Sequence, residues 1–188
     1  MSDTRNTSWI RILDDVIGLI VVVVSIVAIL ELAFSFAYAL AILSVGLLSI
    51  GIAWVVMGIY VVRTNLYARI FMLITGFAAI ALSLLDVIFL SASPDQLIYY
   101  PALAMLLVGS SRLALGFLLG DVPLWIRMLQ ILAGILTINL AAFVFIFSDI
   151  EFSAMFILLV ISFLANGLVR LIVSRTGIKQ KMMQPTAA

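Results

Sequence analysis

The chain of 188 residues contains no cysteine and no histidine. Without thiols it cannot form disulfides, thiolate nucleophiles or iron–sulfur ligation, and without imidazole it lacks the usual zinc ligand, the haem ligand and the commonest general base. Charge is scarce as well: 10% of residues are charged, against about 25% in a soluble domain. The 10 Lys and Arg against 9 Asp and Glu give a net charge of +1 and no basic face for a nucleic acid. No Walker-type Gly-Lys-Ser/Thr, Gly-x-Ser-x-Gly or His-Glu-x-x-His pattern occurs, and no serine has a histidine to activate it. The reading is therefore of a non-enzymatic protein with no catalytic, cofactor-binding or metal-binding residues.

What the chain has in excess is apolar sequence, 66% of its residues. Between Val16 and Val62 the only charge is Glu31, a stretch long enough for two membrane spans of about 20 residues each. Further runs extend from Ile70 to Leu90, Pro101 to Leu119, Met128 to Phe147 and Ala154 to Val173. Their continuity speaks against barrel strands, which alternate and are only about 9 to 11 residues long. Six transmembrane helices are expected in a single domain, followed by a short tail at 177–188. The N-terminal run lacks a cleavage pattern and continues into the second helix, so it reads as a retained segment.

An interval of 58 residues recurs. It relates Gly18, Gly76 and Gly134; Gly51, Gly109 and Gly167; Arg11, Arg69 and Arg127; and the aromatics Trp9, Tyr67 and Trp125. This repeat divides the chain into three tandem helical hairpins, about 9–66, 67–124 and 125–176, inserted in parallel with pseudo-threefold character. Eight basic residues, Arg5, Arg11, Arg63, Arg69, Arg127, Arg175, Lys179 and Lys181, fall at the termini or between hairpins, while Asp95, Asp149 and Glu151 occupy the tips. The positive-inside rule then puts both termini in the cytoplasm.

In the second helix of each hairpin, small residues stand seven apart: Gly51 and Gly58, Gly109 and Gly116, Gly167 and Ser174. Two helical turns separate each pair, so they form a groove for a neighbouring helix, with a path-lining role as the alternative. Three residues beyond the first glycine come Trp54, Arg112 and Arg170, about 60° away around the helix. One reading has these arginines snorkel or pair with Asp14 and Asp15; another has Arg112 and Arg170 converge to bind an anion or an acidic lipid head group. Glu31 and Asp86 lie near the outward ends of helices one and three, either within reach of interfacial water or as pH-responsive groups.

The repeating unit, a leading basic residue, a glycine in the first helix and a second helix ending Gly-x-x-Arg, resembles the HdeD-like family of small six-helix membrane proteins. The segments carrying it are Arg69 to Phe117, with Gly76, Gly109 and Arg112, and Arg127 to Arg170, with Gly134, Gly167 and Arg170. The resemblance implies a prokaryotic cell-membrane protein acting in acid resistance or envelope stress, with no catalytic residues. A structural or accessory subunit of a larger membrane complex and a small anion or solute channel or carrier are the other readings. Expected partners are membrane lipids, acidic head groups among them, and a homo-oligomer or larger membrane complex, with no nucleic acid.

Overall fold

A computed structural model of the chain describes residues 3–60, 66–89, 97–118, 123–147 and 151–175, and side chains from residue 12 onward. The described residues form six α-helices: α1 (Asp3–Leu32), α2 (Phe36–Tyr60), α3 (Leu66–Ile88), α4 (Tyr99–Leu118), α5 (Leu124–Ile146) and α6 (Phe152–Arg175). Each is long and apolar enough to cross a bilayer, so the chain is a multi-pass membrane protein. The β-branched run Ile20 to Val24 is helical despite its weak helix propensity. In hydrocarbon an unpaired backbone amide costs several kcal/mol, and a helix satisfies these groups within one segment.

Two boundaries differ from the sequence reading. α1 starts at Asp3, not at the apolar run from Val16, so its polar first turns precede the apolar window Ile12–Leu32. At 30 residues it is about 45 Å long, more than the hydrocarbon thickness of about 30 Å. α4 begins at Tyr99 and takes Pro101 into its first turn, where the missing N–H has no helical partner to lose. Between α1 and α2 only Ala33, Phe34 and Ser35 intervene. The Phe34 and Ser35 amides donate back to the Glu31 carbonyl at 2.9 and 2.8 Å, closing the end of α1.

The helices are not equally enclosed. In α2, α4 and α6 the apolar windows are 50, 56 and 56% buried, against 33, 33 and 28% in α1, α3 and α5. The even-numbered helices are therefore inner and the odd-numbered ones outer. The outer helices expose large side chains such as Leu19, Ile26, Ile74, Phe77, Leu132 and Leu136, a surface matched to lipid. Tyr67 and Trp125, near the starts of α3 and α5, are exposed as interfacial aromatics are.

The most extensive packing joins α2 to α3, α4 to α5 and α6 to α1. Contacts of α1 with α2, α3 with α4 and α5 with α6 are smaller. The closest seams thus run between the segments assigned to successive hairpins, and the third brings together the first and last helices of the chain.

Candidate functional site

The glycines at the 58-residue interval sit in these three seams. A Cβ added to Gly76 would lie 2.9 Å from the Gly51 carbonyl oxygen, one on Gly134 2.9 Å from that of Gly109, and one on Gly167 3.2 Å from that of Gly18. Any side chain there would push two helix backbones apart, so the small residue is what allows the approach. Seven residues along, a Cβ on Gly58 would meet Leu73 and one on Gly116 would meet Ile131, whereas at the third seam the Ser174 hydroxyl donates to Asp15. Leu73 and Ile131 are 58 and 116 residues beyond Asp15. Gly51, Gly58, Gly109, Gly116 and Gly167 are all placed at helix contacts.

Between these two levels lie Trp54, Arg112 and Arg170, each on an inner helix and 3, 3 and 5% exposed. Arg170 Nη1 donates to Asp14 Oδ1 at 2.7 Å in an ion pair across the α6/α1 seam, and Asp14 is 2% exposed. Arg112 donates through Nη1 to Gln130 Oε1 at 3.0 Å across the α4/α5 seam, and through Nη2 to the Asn166 carbonyl of α6 at 3.2 Å. The same interval carries Asp14 to Met72 and Gln130. The corresponding positions are thus Trp54 and Met72 at the first seam, Arg112 and Gln130 at the second, and Arg170 and Asp14 at the third. The character of the layer changes from apolar to hydrogen-bonded to ionic around the bundle.

Arg112 lies close enough to Arg170 and Asp14 for all three charges to interact. Its Nε and the Trp54 indole Nε1 are buried without a hydrogen-bond partner among the described residues. Asn166 extends the network by donating to Thr137 Oγ1 at 2.9 Å and to the Ser162 carbonyl at 2.8 Å. A shallow cleft with room for about one water, lined by Leu13, Ile17, Ala53, Val56 and Met57, opens beside Asp14, its one polar lining residue. This arrangement orders two cations and their acceptors within an apolar bundle.

Asp86 belongs to a separate cluster. It is 1% exposed, and is therefore buried rather than within reach of interfacial water. The Ser44 hydroxyl on α2 bonds both the Leu40 carbonyl, at 3.0 Å, and Asp86 Oδ2. Ser83, one helical turn before Asp86, donates to the Ser44 carbonyl at 2.7 Å, and Asp86 Oδ1 has no partner among the described residues. Glu31 is half-buried at the end of α1 and belongs to neither cluster.

Gln130, Asn166, Ser44 and Ser83 were not singled out from the sequence. Projecting Asp14 by the repeat interval marks Gln130; no comparable signal marks the other three. Trp9, Arg5, Arg11, Arg63, Asp95, Asp149, Lys179, Lys181 and the tail 177–188 lie outside the described residues or their described side chains. Comparison with protein-family models, with curated proteins and with solved structures gave no match.

Proposed function

We propose that the chain is a non-enzymatic membrane protein of the HdeD-like type, built as three tandem hairpins about a pseudo-threefold axis and acting in envelope homeostasis under acid or related stress. The observation that carries the architecture is the correspondence of the seams: Gly51 with Gly76, Gly109 with Gly134 and Gly167 with Gly18, the second pair one repeat interval beyond the first and the third pairing the last such glycine with the first. A repeat unit whose glycines mate with the following unit can close on itself after three copies, and α6 against α1 is that closure. The buried side chains support a scaffold: the ionisable groups of the inner layer are engaged with one another and with amides, not arranged around a reacting atom. The stress role follows from the family resemblance. In this reading both termini are cytoplasmic and the membrane is that of a prokaryotic cell.

Deletion and complementation test the role. Cells lacking the chain should lose survival at low pH and regain it on expression of the wild-type protein but not of a seam-breaking glycine variant. Unchanged survival would remove the stress reading. Constant co-purification with one large partner would favour an accessory subunit, and solute flux in vesicles containing only this chain would favour a channel or carrier.

A further inference from the structure

Asp86 is an unusual residue for its position. The residues one interval either side of it are Ala28 and Val144, and those corresponding to Ser44 are Ala102 and Val160, all buried. Ser83 corresponds to Ser25, which bonds only within its own helix, and to Ala141. On the repeat reading, the other two seams are packed at this level with alanine and valine, so packing alone requires neither a carboxyl group nor its serine neighbour at the α2/α3 seam.

The hydrogens in the cluster can be counted without reference to the repeat. Three oxygen-to-oxygen contacts are present: Ser83 with the Ser44 carbonyl, Ser44 with the Leu40 carbonyl, and Ser44 with Asp86 Oδ2. Each serine hydroxyl supplies one hydrogen. Ser83 uses its own on the Ser44 carbonyl, and the one Ser44 hydrogen can serve either the Leu40 carbonyl, four residues back as is common for serines within helices, or Asp86 Oδ2, but not both in full. Both Ser44 contacts are satisfied together when the hydrogen between Ser44 and Asp86 comes from the carboxyl. A protonated carboxyl supplies it by donating from Oδ2 to Ser44 Oγ, and leaves Oδ1 as a neutral carbonyl oxygen, for which lacking a partner is far less costly than for a carboxylate.

Among the described residues no cation is placed to offset a charge there. α3 packs against α2 and α4. The titratable residues of α2 are Tyr38 and Tyr60, and those of α4 are Tyr99, Tyr100 and Arg112. None of them is a hydrogen-bond or ion-pair partner of Asp86 among the described residues, and Asp95 lies outside those residues. Arg69, the basic residue of α3, is 17 positions away, about 26 Å along the helix.

We infer that Asp86 and Ser44 form an intramembrane proton-binding site at the α2/α3 seam, with the proton carried on the Asp86 carboxyl and donated to the Ser44 hydroxyl. Loss of the proton would leave an uncompensated negative charge between two packed helices, so occupancy of the site is linked to closure of that seam. This holds whether or not the protein acts in acid stress.

Infrared spectroscopy of the full-length protein in lipid vesicles at neutral pH tests the site. The wild type should show a protonated-carboxyl C=O band that Asp86→Asn abolishes and Ser44→Ala displaces. A spectrum identical in that region for wild type and Asp86→Asn would overturn the inference, as would a band that Ser44→Ala leaves unmoved. Ser44→Ala retains the carboxyl and keeps the test decisive if Asp86→Asn does not fold. A melting temperature equal in sodium and choline chloride supports a proton, while a sodium-dependent rise lost in Asp86→Asn would assign the site to a metal cation instead.

Discussion

Replacing Gly134 by alanine is the smallest change that should force two of these helices apart. The three heavy atoms nearest a Cβ at this position are the Gly109 carbonyl oxygen at 2.9 Å, the Leu113 amide nitrogen at 2.9 Å and Leu113 Cα at 3.3 Å. All are backbone atoms, so no side-chain rotation can make room, and α4 and α5 must separate along their most extensive contact. Overpacking a closed interior costs about 1–3 kcal/mol, and the backbone origin of this clash places Gly134→Ala at about 3 kcal/mol. For a chain of this length that is a fall of about 6–12 °C in melting temperature. Gly18→Ala is the matched comparison. There the nearest atoms are the Leu171 side chain at 3.0 Å, with the Gly167 carbonyl oxygen at 3.3 Å, so Leu171 can yield and the cost should be about 1 kcal/mol. Thermal unfolding in mild detergent, followed by circular dichroism, reads both. If Gly134→Ala melts with the wild type, or Gly18→Ala melts below Gly134→Ala, the seams do not pack as described.

Other variants probe the charged layer and the topology. Asp14→Asn or Arg170→Gln alone should destabilise the protein by about 3 kcal/mol, because each breaks a buried ion pair from one side only, and the double variant should recover part of that loss in a thermal-unfolding cycle. Gln130→Glu places a carboxylate against Arg112, copying the α6/α1 seam, and should raise the melting temperature through a charge-assisted bond worth about 1–2 kcal/mol; a lower value would refute the correspondence of the two seams. Because the chain has no cysteine, single introduced thiols report topology directly. Asp149→Cys should react with an impermeant reagent on intact cells and Lys179→Cys only after permeabilisation, and the reverse pattern would invert the proposed orientation.

Much of the fold was legible because a bilayer permits so few structures. Apolar runs of span length, with no water to satisfy their backbone, read directly as α2 to α6. The start of α1 was not legible, since its polar first turns carry none of the apolar signal that marked the other helices. The repeat interval located Gly51, Gly109 and Gly167, but a period has no starting point. It could not tell whether the closest contact joins α1 to α2 or α2 to α3, and in the structure the closer pairs are α2 with α3, α4 with α5 and α6 with α1. In the site, Arg112 and Arg170 stood out as charges inside spans. Gln130, Asn166 and Ser44 did not, because a neutral polar residue in an apolar run looks the same whether it faces its own helix, as Ser25 does, or a neighbour. The burial of Asp86 depended on the helix rotation that packs it against α2, which sequence depth alone does not fix.

The last helix closes against the first, completing a third seam that no short linker holds. Asp15 and Ser174 meet there, 159 residues apart in sequence. A double variant, Asp15→Cys with Ser174→Cys, oxidised in native membranes, measures that contact against a background free of other thiols. An intramolecular disulfide should form, read as a monomer whose mobility on gel electrophoresis returns to that of the uncross-linked chain on reduction. If both thiols can be alkylated yet no intramolecular disulfide forms, or cross-links join only separate copies of the chain, the bundle does not close as described.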